Sequence, residues 1–269
     1  MNKRFLVIIL ILTYLFSATL PAQANDNFIK QPKNFSEELK QKISACKNNK
    51  EKELLKRTLK MHEITDAEVK ESIRQYMANK PKPDITLEGD VDVYLGRDCN
   101  FYAASAGNHG GSGNYYANFN TSNNRNLVGC WSIGTSSSAW AWVGKSFRVN
   151  GTGSQVAFFS IEGYYGAFLQ SADYGASTGG IDFKLYDYTA DTWVDSAQVA
   201  FLYAPASGDA NVYNVNYSKP NAFQATLQAG HEYLVLLQTE GYTHLTGTFD
   251  SYHETSGEYS DWYRIKVDF

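Results

Sequence analysis

The chain has 269 residues, a formal net charge of −4, 14% aromatic residues and three cysteines, which is length for one large β domain or two ordinary ones. Three cysteines are too few, and odd in number, for a small disulfide-held scaffold. The charge is unevenly spread: residues 25–84 hold 14 Lys and Arg against 10 Asp and Glu, and residues 85–269 hold 8 against 18, so the larger region lacks the basic face that nucleic acid requires and suits a neutral or cationic partner.

Residues 1–24 begin with Lys3 and Arg4, continue through an apolar stretch from Phe5 to Phe16 and end on Ala22-Gln23-Ala24. This three-part layout predicts a secretory signal peptide cleaved after Ala24 and an extracellular product. The apolar stretch is shorter than the roughly 20 residues of a spanning helix, and Thr13, Tyr14, Ser17 and Thr19 dilute it. No later segment is long and apolar enough to span, so no stable membrane span is expected after cleavage.

Residues 25–80 read as a charged helical segment. Leu39, Ile43 and Cys46, then Leu54, Leu55 and Leu59, recur at helical intervals. Thr65 followed by Glu68, with Ile64 and Val69 as a hydrophobic staple, predicts the start of a separate helix carrying Val69, Ile73, Tyr76 and Met77 on one stripe. Pro81 and Pro83 end it, and residues 81–84 form a stiff linker at which the domain boundary is placed.

Residues 85–269 change abruptly to Gly, Ser, Asn, Thr and aromatics. Strand-like runs follow one another at Val91–Leu95, Leu127–Ile133, Ala139–Val149, Gln155–Ile161, Ile181–Tyr186, Thr192–Tyr203, Asn211–Tyr217, His231–Thr239 and Trp262–Phe269. Turn chemistry lies between them, including Asn150-Gly151-Thr152-Gly153 and Ser177-Thr178-Gly179-Gly180. The expected fold is mainly β, an antiparallel, jelly-roll-like β-sandwich preceded by a short α-helical segment.

Cys99 and Cys130 both fall in the β region and are expected to form a disulfide there, leaving Cys46 over. Glu88, Asp90 and Asp92 alternate, which puts three carboxylates on one side of a strand, and Asp187, Asp191 and Asp195 gather near a turn. Hard oxygen ligands of this kind suit a structural calcium ion.

Enzyme signatures fail. There is no G-x-S-x-G elbow, C-x-x-C pair, phosphate loop or dinucleotide fingerprint, and neither His231-Glu232 nor His253-Glu254 is completed by a second histidine, at Val235 or Gly257. His109 sits alone in a glycine-rich loop, and His244 and His253 flank the Gly247 turn. Trp140 and Trp142 are two apart and share one strand face, with Tyr115, Tyr116 and Tyr165 adding ring surface and Trp131, Trp193 and Trp262 elsewhere. Rings of this kind stack on apolar sugar faces while amides and carboxylates bond hydroxyls. The sequence therefore points to a secreted, non-catalytic binding or adhesion module for a glycan or an extracellular protein. A secreted glycosidase-like hydrolase without a legible motif and a structural envelope protein are the alternatives.

Overall fold

A computed structural model of the protein describes residues 33–79, 86–87, 93–96, 101–108, 113–204 and 210–269. The expected signal peptide, the proline linker, Glu88, Asp90, Asp92, Cys99 and His109 lie outside the described residues. Two helices, α1 (Phe35–Ala45) and α2 (Asn49–Ala78), precede the strands β1 (Thr86–Leu87), β2 (Val93–Leu95), β3 (Phe101–Asn108), β4 (Gly113–Asn120), β5 (Arg125–Val149), β6 (Ser154–Asp187), β7 (Thr192–Ala204), β8 (Ala210–Gln228), β9 (Glu232–Ser251) and β10 (Ser260–Asp268).

The helices start where asparagine side chains take up free backbone N–H groups. Asn34 accepts from Glu37 at 3.1 Å, and Asn48 accepts from Lys50 at 3.0 Å and Glu51 at 3.3 Å. Thr65 starts nothing: α2 runs straight through it, and the residue is fully buried. The buried stripe Leu54, Thr58, Met61, His62, Thr65, Val69, Ile73, Met77 is continuous at three- and four-residue steps. Its polar members Thr58, His62 and Thr65 interrupt the apolar pattern and make one long helix resemble two.

Three strands are unusually long: β5 has 25 residues, β6 34 and β9 20. Each bends. The β5 register shifts between Ser132 and Thr135, beside Gly134 at φ 68°, and the β6 register shifts between Ala172 and Ala176. On β9 the turn falls at Leu245, whose φ of 58° is left-handed for a non-glycine residue. On one side of the bend the order is β3-β5-β9-β6-β7; on the other it is β4-β5-β9-β6-β8, with β10 taking the place of β9 between β5 and β6 and pairing β2. Bulges of this kind let one strand serve two layers.

The two layers close on one core. Ala139, Ala141, Val143, Phe183, Leu185, Val235 and Leu237 face Phe159, Ile161, Leu169, Phe223, Phe249 and Val267, and Phe183 meets Phe223 with ring centroids 5.0 Å apart. The protein is an antiparallel β-sandwich preceded by a short helical segment, as expected. The first layer carries the helices on its other face: Val69, Ile73 and Met77 pack on Trp140, Trp142, Tyr186, Leu234 and Leu236. Burial on both faces explains the unbroken apolar run Leu234-Val235-Leu236-Leu237 in β9, all 0% exposed.

Gly179 and Gly180, read from sequence as a turn, lie inside β6. A Cβ at Gly179 would come within 2.1 Å of the Phe249 ring, and one at Gly180 within 2.5 Å of the Phe35 ring. These glycines admit an aromatic ring to each face of the strand.

Candidate functional site

Helices cover the outer face of the first layer; among the described residues, none covers the outer face of the second layer. Strand register builds it in rows, because residues directly opposite one another share a face. One row runs Tyr116, Gly129, Asp250, Phe168 and Val212 across β4, β5, β9, β6 and β8. The next runs Asn114, Trp131, Thr248 and Gln170, about 7 Å away along the strands. Val212 is 75% exposed and Tyr116 49%; Asn114 and Gln170 are exposed, and Trp131, Phe168 and Thr248 are half-buried.

Trp131 lies in a depression of about 240 Å³ that it shares with Ser132, Ile133, Gln170, Thr246 and Thr248. Among the described residues, no Asp, Glu, Lys or Arg lines it. The β5 bulge creates this hollow, since the strand turns away at Gly134 and leaves Ile133 65% exposed at the rim. The floor is thus one indole with amide and hydroxyl groups around it.

The loop from Tyr252 to Tyr259 stands beside the rows as a wall. Tyr164 donates its hydroxyl hydrogen to the Gly257 carbonyl at 2.7 Å, and burial followed by the neighbouring Tyr259 pushes that phenol up from its ordinary value. Gly257 takes φ 84°, a left-handed turn that suits glycine, and its carbonyl oxygen sits where a side chain on Gly166 would be. Tyr252 meets Tyr116 at 5.2 Å over the bare backbone of Gly129. His253 lies 3.1 Å from Asp250 and 3.4 Å from Glu258. Those three groups are close enough together to hold a cation.

The ligand-binding residues expected from sequence are dispersed by the fold. Trp140 and Trp142 share a face, but that face is the one beneath α2: they are 2% and 0% exposed, and their indole N–H groups donate to Glu68 Oε2 at 2.9 Å and Ser72 Oγ at 3.0 Å. They are core, not a solvent-facing pair, because period-two alternation fixes that two rings point the same way without saying what covers them. Tyr116 lies on the open face, whereas Tyr115, its neighbour on an edge strand, points the other way and is 45% exposed. Tyr165 turns inward against the core and packs 6.3 Å from Tyr217. Trp131, which the sequence offered only as further ring surface, is the indole at the centre of the hollow.

The acidic and cysteine expectations also change. Asp187, Asp191 and Asp195 do not converge: Asp187 pairs with His231 at 2.7 Å, Asp191 with Arg74, and Asp195 with Lys33 at 3.3 Å. Cys130 is a free thiol, 2% exposed, so the bridge expected with Cys99 is not formed at this end; burial pushes the thiol up to about 12. His244 and His253 do not meet. His244 is fully buried between Thr58 Oγ1 at 2.9 Å and Ser136 Oγ at 2.8 Å, and burial, then Arg57, pushes it down to about 4.

No protein-family model matches the chain, and no curated protein matches it significantly. Among solved structures it is similar to a carbohydrate-binding module from Cellvibrio mixtus lichenase 5A in complex with cellotriose, at 10% identity over 66% of this chain and 96% of that one, with a TM-score of 0.22. It is similar to the TmCBM61 module in complex with β-1,4-galactotriose, at 9% identity over 64% and 90%, TM-score 0.20. It is also similar to a Clostridium thermocellum xylanase 10B carrying a CBM22-1 module, complexed with xylohexaose, at 14% identity over 51% and 24%, TM-score 0.21.

Proposed function

We propose that the protein is a secreted, non-catalytic binding module that holds a neutral saccharide on the open face of its second layer. The observation that carries this reading is the half-buried Trp131 indole, set in a hollow of about 240 Å³ that no charged group among the described residues lines, with Gln170, Thr246, Thr248 and Ser132 around it. An aromatic floor takes the C–H face of a sugar ring, and amide and hydroxyl groups satisfy its equatorial hydroxyls. The hollow is smaller than the roughly 300 to 1,000 Å³ of enclosed sites, so it receives a single ring of a longer chain lying across the strands. Tyr116 and Tyr252, one row away, offer the next ring surface.

Affinity on such a face is modest. A stacking contact adds about 0.5–1.5 kcal/mol beyond area burial, which places single-ring ligands in the millimolar range, and chain length is the means of improvement. Affinity electrophoresis through gels of neutral polysaccharides tests the reading. The wild-type protein is expected to be retarded by at least one of them and Trp131→Ala to run as in a plain gel. If Trp131→Ala is retarded as strongly as wild type, the hollow is not the site.

A further inference from the structure

A second site lies on the opposite side of the first layer, where α1 and α2 meet β6 and β7. A cleft of about 590 Å³ opens there, walled by Trp193 and Ser196 on β7, Asp182 and Lys184 on β6, and His62 and Asp66 on α2. This volume is in the range of small-molecule sites.

Most of the charges within it are paired. Lys184 Nζ sits 2.8 Å from Asp66 and 5.0 Å from the Trp193 ring centre. His62 sits 2.9 Å from Glu240 on β9. Asp195 on β7 pairs with Lys33 at 3.3 Å, and Lys70 on α2 pairs with Asp191 at 3.7 Å; Glu63 and Lys40 stand at the rim. Asp182, 3% exposed, has no ion-pair partner among the described residues. Its Oδ2 accepts the Phe35 N–H at 3.2 Å, and its Oδ1 accepts nothing. Gln238, directly opposite it on β9 and 1% exposed, likewise leaves Oε1 without a donor.

Two adjoining buried acceptors without donors call for a group that only donates, and an ammonium has three N–H donors and no acceptor. We propose that this cleft binds a small molecule bearing a primary ammonium group, which Asp182 Oδ1 receives, with Trp193 packing against the ligand's body. A hydroxyl would satisfy the acceptor but bring no charge to the buried carboxylate, whose nearest cation, Lys184, is already held by Asp66. Burial pushes the Asp182 carboxyl up to about 7, with Lys184 opposing, so an arriving cation displaces the proton that the empty cleft holds near neutrality. Binding therefore strengthens as the pH rises through 7 while the amine keeps its own proton.

Isothermal titration at pH 8 with cadaverine and tyramine, each beside the alcohol of the same skeleton, tests this. The amines are expected to bind about tenfold or more tightly than the alcohols, Asp182→Asn to abolish the difference, and Trp131→Ala to leave it intact. That last arm separates this site from the saccharide face. Equal binding of amine and alcohol, no binding of either amine, or full amine binding by Asp182→Asn would overturn the proposal. Should Asp182→Asn fail to fold, the wild-type protein is titrated with cadaverine at pH 7 in two buffers of different ionisation enthalpy: proton release on binding is expected, and its absence overturns the proposal equally.

Discussion

Replacing Trp142 with alanine tests whether α2 is part of the sandwich's core. The indole is 0% exposed, lies edge-on to Tyr76 at 6.2 Å, donates to Ser72 at 3.0 Å and fills the space between Ile73, Met77 and Leu236. Truncating a core aromatic to alanine costs about 3–5 kcal/mol, and the Ser72 hydroxyl, which keeps its bond to the Val69 carbonyl at 2.7 Å, loses one accepted hydrogen bond worth about 1 kcal/mol. A total of about 4–6 kcal/mol is a large share of the roughly 5–15 kcal/mol that holds a domain folded. Trp142→Phe keeps most of the ring and loses the hydrogen bond, for about 1–2 kcal/mol. Trp131→Ala, which removes a half-exposed ring from the open face, costs about 1 kcal/mol. Urea unfolding of the full chain, followed by circular dichroism with the slope held as a check on two-state behaviour, ranks the three. If Trp142→Ala loses no more than Trp131→Ala, α2 is not seated on the sheet and the account of the first layer is wrong.

Asp182→Asn should match wild-type stability near pH 4 and exceed it near pH 8 by up to about 4 kcal/mol, because a carboxyl raised from about 3.8 to about 7 loses stability as pH rises through that window; equal denaturation midpoints at pH 8 would refute it. His244 has the opposite sign: pushed down to about 4, it costs stability as pH falls from about 6.5 towards 4, so replacing it with glutamine should flatten the acid limb of the profile, and an unchanged limb would count against its burial. Iodoacetamide at pH 8 should label Cys46 and spare Cys130 until the protein is denatured, since the thiol held near 12 carries almost no thiolate; a non-reducing peptide map should find Cys130 unpaired, and recovery of a Cys99–Cys130 peptide would contradict the structure. N-terminal sequencing of the exported protein should begin near Asn25, and an intact Met1 would remove the premise of export.

Layer architecture was legible in the sequence because period-two alternation survives where one face is wet, as in Trp262–Phe269; Ile181–Tyr186 alternates as well, although its polar residues Asp182 and Lys184 are buried beneath the helices. Strand length was not, because β5 and β6 pass from one layer to the other through bulges at Gly134 and Ala172–Ala176, and a bulge carries the same residues as a turn. The glycines at 179 and 180 misled for a physical reason: in a strand they answer a ring approaching from another element, Phe249 or Phe35, which local sequence does not contain. The same holds for the site. Trp140, Trp142 and Trp131 all sit on strand faces, but only the placement of α2 decides which indole is covered. The sequence carried a faint form of that signal, since the stripe Val69, Ile73, Met77 needs an apolar floor and Trp140 with Leu234 and Leu236 provides one. Trp131 by contrast is followed by Ser132 and the Gly134 bulge, a polar and irregular setting that an open face tolerates.

The central claim is that Trp131 is the ring that meets a sugar, and the protein's five tryptophans give one direct measurement of it. A ¹H–¹⁵N spectrum of the full chain resolves the indole N–H signals, assigned by single substitution, and is recorded while a neutral oligosaccharide selected by gel retardation is added. The account predicts that the Trp131 signal moves in a saturable way, while the signals of Trp140 and Trp142, held by Glu68 and Ser72 under α2, stay in place. A saturable shift of Trp140 or Trp142 with Trp131 unmoved would contradict it.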